Sequence, residues 1–345
     1  MSNRLRVGVL GTGSIAAEVT DALHLTRRCA AEAVASRDSD RAARFAAEHG
    51  VRRALESYQA LIADPKIDVV YISTPHPEHA EWAVRAAEAG KHVLCEKPLT
   101  LDAATSAAVI ETARRRGVFL LEAFAFHFHS QTERLLELVR NGTIGTVQAI
   151  AVTFSYSMPG PDRPARVLAN ALGGGGILDV GCYCTSMSRR LVMAATGTVA
   201  VEPDEVAALA ALDPLERTDR YSAAVMRFAG DILAQLACGV DLMQDDRISV
   251  YGSQGQLHVS DPCWLAGRRD APSRIEIGRS DGEDSVVHIP GGQNIFALEA
   301  DGMAQMLDRG VASCHPSWDE TMANMRTLDR WRSAVGVHYE AEATA

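Results

Sequence analysis

Lys97, Asp179 and Tyr183 are the side chains whose types and spacing best suit chemistry. Lys97 lies in Glu96-Lys97-Pro98, directly after the apolar run His92 to Cys95, where a buried strand would deliver an amine to the edge of a cleft. Asp179 and Tyr183 are four residues apart, so on a helix they share one face and can point into one cleft. A phenol beside an ammonium group has its anion stabilised and its pKa lowered, which suits Tyr183 to exchange a proton with a substrate oxygen. Lys97 would supply that charge and stabilise a developing alkoxide. Asp179 can orient a substrate hydroxyl or pair with Lys97. Each has a plainer structural alternative: Tyr183 as a core aromatic with its hydroxyl on backbone, Asp179 as an acid favoured near a helix start.

Interconverting a carbonyl and an alcohol also needs a hydride carrier, and the chain opens with a fingerprint for one. The apolar run Leu5 to Leu10 leads into Gly11-Thr12-Gly13-Ser14-Ile15-Ala16, the G-x-G-x-x-A form of a dinucleotide-binding turn. Gly11 permits the tight turn, Gly13 lets backbone approach a pyrophosphate, and the small Ala16 allows close packing of helix on strand. Free N–H groups at Thr12, Ser14 and Ile15 would face phosphate oxygens. The second strand runs into Ser36-Arg37-Asp38, where a hydroxyl and a guanidinium suit a 2′-phosphate, so NADP(H) is favoured over NAD(H). Asp38 or Asp40 could instead take the ribose, or cap the next helix. Thr74 and Pro75, with His79, should border the cofactor, and Glu96 should contact its ribose or nicotinamide end.

These residues need a scaffold. From Leu5 to about Phe124, apolar runs (Leu5 to Leu10, Ala30 to Ala35, Val69 to Ser73, His92 to Cys95, Val118 to Phe124) alternate with helical stretches near 14–25, 40–49, 77–89 and 102–116. That alternation predicts an α/β domain of Rossmann type over 1–125, with helices on both faces of a parallel sheet. From Thr146 onward period-two alternation returns, as in Ile150, Val152, Phe154 and Tyr156, and predicts an open, mostly antiparallel sheet in an α+β domain over 126–345. The active-site helix should cover one face of that sheet. Its other face would mediate a homodimer or tetramer. Two closing helices, near 295–309 and 319–337, are expected to pack back on the first domain. Residues 157–171, with Pro159, Pro161 and Pro164, read as a long loop of the kind that lids a site. Arg163 and Arg166 on it could meet an anionic substrate group, and His127 and His129 could touch substrate from the wall of the cleft.

Together Gly11-Thr12-Gly13, Thr74-Pro75 with His79, Glu96-Lys97-Pro98, and the run Gly173-Gly174-Gly175-Gly176-Ile177-Leu178-Asp179-Val180-Gly181-Cys182-Tyr183 resemble the glucose-fructose oxidoreductase, inositol dehydrogenase and MocA family. The resemblance implies a nicotinamide-dependent enzyme acting on a sugar, polyol or related ring. Tyr183 stands where the inositol dehydrogenase type commonly has histidine. With His76-Pro77, His79 and Glu122-Ala123-Phe124, it points to the branch resembling dihydrodiol and xylose dehydrogenases and deoxysugar ketoreductases. The expected activity is thus hydride transfer between NADP(H) and a sugar, deoxysugar or cyclic diol.

Composition sets the outer bounds. The 345 residues are 47% hydrophobic, and a formal charge of −10 makes nucleic acid an unlikely partner. The start runs straight into a strand, and no apolar stretch reaches the roughly 18 residues of a membrane span, so a cytoplasmic protein without membrane partners is expected. Seven cysteines, including Cys182, Cys184 and Cys314, lack CxxC pairs and metal-like histidine spacing, so they read as reduced thiols and no metal is expected. Two other functions fit the same fold: a non-catalytic sensor of dinucleotide and sugar, and a glycosidase using bound NAD transiently. An intact Lys97 and Tyr183 count against the first; Ser36-Arg37 counts against the second.

Overall fold

The structure is a computed structural model and describes residues 4–158, 163–260, 262–264, 266–268, 271–280, 282–292, 294–311 and 315–344. Pro159, Pro161 and Cys314 lie outside the described residues. The chain forms two compact units: Met1–Thr100, Ala104–Phe128 and Gln293–Trp318 make the first, and Leu101–Ala103, His129–Gly292 and Asp319–Ala345 the second.

The first unit alternates β1 (Leu5–Leu10), α1 (Ser14–Leu23), β2 (Cys29–Ala35), α2 (Ser39–Glu48), β3 (Arg53–Leu55), α3 (Tyr58–Ala63), β4 (Val69–Ile72), α4 (His79–Glu88), β5 (His92–Glu96), α5 (Ala103–Arg116) and β6 (Leu120–Ala123). The strands are all parallel, in the order β3-β2-β1-β4-β5-β6. That is the doubly wound order, which reverses direction between β1 and β4 and opens a crevice at their carboxyl ends. Val7, Val9, Val34, Val69 and Tyr71 are buried, as strands covered by helices on both faces require. Ala16 has no exposed surface, in keeping with close helix–strand packing.

The second unit adds α6 (Ser130–Arg140), β7 (Val147–Ser155), a five-residue π-turn (Ile177–Gly181) continuing into α7 (Cys182–Thr196), then β8 (Glu205–Leu212), β9 (Asp219–Phe228), β10 (Ile232–Gly239), β11 (Arg247–Gly252), β12 (Gly255–Val259), β13 (Ser273–Arg279) and β14 (Ser285–Ile289). Its sheet runs β14-β13-β12-β11-β7-β10-β9-β8, antiparallel except where β10 lies parallel to β7. Helix α7 packs on β7 and β10. On β9 buried residues alternate with exposed ones, and Tyr221 and Val225 share the exposed set with Leu209 of β8 and Leu233 of β10.

The two closing helices divide. Helix α8 (Ile295–Asp308) belongs to the first unit, packing on α1. Helix α9 (Trp318–Val335), expected on the first domain, is assigned almost entirely to the second unit. There its Trp331 is fully buried and donates to Ser222 Oγ at 2.9 Å. Within the loop expected over 157–171, short 3-10 turns form at Ala165–Val167 and Asn170–Leu172.

Candidate active site

In the first unit the expected cofactor residues collect at the carboxyl ends of β1, β2, β4 and β5. Gly11 has φ +118°, and a Cβ there would lie 2.7 Å from Ser73 Oγ, so only glycine lets the turn lie against β4's end. At Gly13, in contrast, a Cβ would meet nothing within 4 Å. Gly13 is the N-cap of α1 and offers no capping side chain, which leaves the helix's first N–H groups, beside Thr12, Ser14 and Ile15, open to an anion. Thr74 is buried, yet its Oγ1 has no hydrogen-bond partner in the described structure, and Pro75 follows half-buried. An open cradle, free helix N–H groups and an orphaned buried hydroxyl fit a dinucleotide.

At the end of β2, Ser36 is buried and Arg37 is 72% exposed, its guanidinium 3.3 Å from Glu78 Oε1. Both border an open depression of about 420 Å3, also lined by Ser57, Tyr58 and Trp82. Asp38 proves to be the N-cap of α2, accepting from Asp40 N at 2.9 Å and Arg41 N at 3.1 Å. The strand therefore ends at Ala35, as the sequence suggested.

His79 must be reassigned. It has no exposed surface, and its ring nitrogens lie 3.0 Å from Pro98 O and 2.8 Å from Thr74 O. Burial, with Lys97 contributing, holds its pKa below the ordinary histidine value, so the neutral ring donates to one carbonyl at a time. The ring therefore ties the loop after β4 to the loop after β5, a positioning part in place of the expected cofactor contact.

That tie is one of several around Lys97, which is half-buried. Tyr71 donates its hydroxyl to Glu96 Oε1 at 2.7 Å, and Leu99 N donates to Glu122 Oε1 at 2.9 Å. The lysine thus projects from a segment anchored on both flanks. Glu299 of α8, also fully buried, is electrostatically coupled to Glu96, and burial first and Glu96 second push its pKa well above the ordinary carboxyl value. Sequence reasoning missed Tyr71, Glu299 and Glu122's part, because a lone acid or phenol within an apolar run carries no spacing signal.

In the second unit Asp179 lies within the π-turn and Tyr183 is the second residue of α7. Both still face the end of β7. Tyr156 donates its hydroxyl to Asp179 Oδ2, while the Tyr183 ring stands edge-on to Phe154, with centroids 5.2 Å apart. Trp264 stacks on Phe154 at 5.3 Å and meets Tyr183 at 5.7 Å, so the phenol sits in an aromatic corner. Arg166 Nη1 is 4.0 Å from Asp179 Oδ2, and Arg163 pairs with Asp241 at 3.7 Å.

The two histidines considered as substrate contacts have structural work. His129 is the N-cap of α6, where Nδ1 accepts from Gln131 N at 3.2 Å, and burial lowers its pKa. His127 lies in a 3-10 turn (Ala125–Phe128), stacked on Phe124 at 5.5 Å and edge-on to Phe126 at 4.3 Å.

Comparison with known proteins agrees with this geometry. Residues 5–124 match the family model described as the oxidoreductase family, NAD-binding Rossmann fold, and residues 132–258 match the GFO/IDH/MocA C-terminal domain. The chain is 33% identical to a D-xylose 1-dehydrogenase (NADP(+)) of Haloferax volcanii, over 93% of this chain and 94% of that one. It is 32% identical to trans-1,2-dihydrobenzene-1,2-diol dehydrogenase of Sus scrofa, over 97% and 98%. Among solved structures, the 3-ketoreductase KijD10 from Actinomadura kijaniata, in complex with NADP and TDP-benzene, superposes with a TM-score of 0.86 at 28% identity, covering 96% of this chain and 98% of that one. The protein is therefore an oxidoreductase of the GFO/IDH/MocA family.

Proposed function

We propose that the protein transfers hydride between NADP(H) and a carbonyl or secondary alcohol of a sugar, deoxysugar or cyclic diol, with Tyr183 as proton donor and acceptor assisted by Lys97. The carrying observation is Tyr183 itself, a half-buried phenol held in the corner of Phe154 and Trp264 with Asp179 one turn before it. A bound nicotinamide supplies the hydride. Tyr183 then delivers a proton to the carbonyl oxygen in reduction and takes it back in oxidation. Lys97, fixed by the anchors on Glu96, Pro98 and Leu99, holds positive charge toward the oxygen that becomes an alkoxide. Asp179, already accepting from Tyr156, orients a neighbouring substrate hydroxyl, which suits a polyhydroxylated ring.

Gly11, Thr12, Gly13, Ser14 and Ile15 hold the pyrophosphate, Thr74 and Pro75 border the cofactor, and Ser36 with Arg37 takes the 2′-phosphate. A relative named for NADP(+) and a solved neighbour complexed with NADP support that cofactor choice. The neighbour's TDP-benzene and the relatives' xylose and dihydrodiol substrates bracket the substrate class. Arg163 and Arg166 would meet an anionic substituent if the substrate carries one. The exposed apolar set on the second sheet, Leu209, Tyr221, Val225 and Leu233, fits a homodimer face.

Fluorescence titration with NADPH and NADH, followed by a panel of 3-ketosugars, aldoses and cyclic diketones watched at the nicotinamide absorbance, tests this reading. Preferred NADPH binding with turnover supports it. Binding without turnover on any carbonyl or alcohol points to a sensor of the same fold.

A further inference from the structure

Two of the four glycines before Asp179, Gly175 and Gly176, have a physical cause that lies far along the chain. At Gly175, where φ is +114°, a Cβ would come within 2.5 Å of Asp219 Oδ1, and at Gly176 within 3.1 Å of Asp219 Oδ2. Glycine is needed because a carboxyl group from the first residue of β9 fills the space under the turn. Asp219 has no exposed surface, and its Oδ2 accepts from Ile177 N at 2.7 Å. Ile177 is the first residue of the π-turn, and the residue before it provides no capping side chain. The cap that a helix start normally finds in its own sequence is supplied here from another strand.

Other contacts fix the same place. Tyr339 donates its hydroxyl to Gly174 O at 2.7 Å, Thr218 donates to Leu168 O at 2.7 Å, and Asp179 N donates to Gly175 O at 3.2 Å. Asp219 Oδ1 has no hydrogen-bond partner in the described structure. A half-satisfied buried carboxyl is costly, so the group is held by the fold around it and not by its own solvation.

We propose that Asp219 is a positioning residue for the reaction: through the Ile177 N–H it sets where the π-turn and α7 present Asp179 and Tyr183. The proposal rests on the reading of Tyr183 given above. Asp219 touches no reacting atom. Its effect runs through a short covalent path, from Ile177 past Asp179 to Tyr183, along a π-turn whose start has no side-chain cap of its own.

The carboxyl is also poised to titrate. Burial pushes its pKa up to about 7, opposed by the N–H groups of Ile177, Gly176 and Asp219 itself and by Arg332. The titratable groups around it are Arg332 of α9, Tyr339 beyond that helix and Cys238 of β10; Arg332 is paired in turn with Asp329 and Glu342. A carboxylate is the stronger acceptor, so the grip on Ile177 should tighten as pH rises through neutrality.

Asp219→Ala, Asp219→Asn and Tyr183→Phe test this with three readouts: NADPH binding, kcat, and hydrogen exchange at the Ile177 amide. In Asp219→Ala we expect Ile177 to lose protection and kcat to fall roughly tenfold to a hundredfold, as a displacement of about an ångström would cause, with the NADPH Kd unchanged. Asp219→Asn keeps an acceptor and should retain kcat within roughly fivefold, but the Ile177 exchange profile should lose its inflection near neutral pH. If Asp219→Ala does not fold, that lost inflection carries the test alone, since a merely space-filling Asp219 would leave the profile unaltered. Full turnover in Asp219→Ala with Ile177 exchanging freely overturns the proposal, as does an unchanged pH profile in Asp219→Asn. Full turnover in Tyr183→Phe beside lost turnover in Asp219→Ala would overturn the part given to the tyrosine and keep Asp219 as the anchor.

Discussion

Replacing Arg37 with alanine should separate the two nicotinamide cofactors by an amount the local structure sets. Charge-assisted hydrogen bonds between a guanidinium and a phosphate contribute about 1.5–3 kcal/mol. Arg37 is 72% exposed, so water screens part of that, and its resident pair with Glu78 at 3.3 Å, an interaction of about 0–1 kcal/mol when exposed, must be given up on binding. The net loss in Arg37→Ala is therefore about 1–2 kcal/mol, or a roughly 5- to 30-fold higher Kd for NADPH. NADH lacks the 2′-phosphate, and its Kd should move by less than about twofold. The assay is fluorescence titration of both cofactors against wild type and variant, repeated at higher salt, where the NADPH difference should shrink. Equal losses for both cofactors would show that Arg37 holds the loop and not the phosphate. No loss for either would remove it from the cofactor site.

Lys97→Met should still bind NADPH while turnover falls by at least roughly a hundredfold, the size of a lost acid-assisting and electrostatic contribution; unchanged kcat would remove the lysine from the mechanism. His79→Leu removes the one ring N–H that serves the buried carbonyls of Thr74 and Pro98 in turn, so it should cost about 1–3 kcal/mol of stability and weaken NADPH binding too, measured by thermal shift with and without cofactor. Glu299, with a folded pKa raised above its unfolded value by burial and Glu96, stabilises least when ionised: its penalty is absent below the unfolded pKa and grows as pH rises toward the folded one. Glu299→Gln should accordingly raise the Tm at pH 8 and leave it nearly unchanged near pH 4.5, and a Tm gain that is the same at both would refute the burial of an ionisable acid there.

Periodicity and punctuation made much of this molecule readable, and the unread parts have physical reasons. Strand β3 is the three residues Arg53-Ala54-Leu55, at the sheet's edge, too short and too polar to present an apolar run. Strand β8, Glu-Val-Ala-Ala-Leu-Ala-Ala-Leu, is composed of good helix formers, and pairing with β9 overrides that preference. At the site, the turn glycines and Lys97 declare themselves because backbone geometry and strand exits have local signatures. Asp219, Glu299 and Tyr71 do not, because their partners lie distant in sequence and their importance comes from burial. His79 shows the converse: a polar residue beside a motif invites a ligand role, yet both of its ring nitrogens meet backbone carbonyls.

The central claim is that Tyr183 carries the proton. The most direct test is the pre-steady-state rate of nicotinamide oxidation with a saturating carbonyl substrate, for wild type and Tyr183→Phe, with NADPH affinity measured on the same samples. The account predicts unchanged NADPH binding and a rate lower by roughly a hundredfold in the phenylalanine variant. A variant that binds NADPH and reduces the carbonyl at the wild-type rate would contradict it.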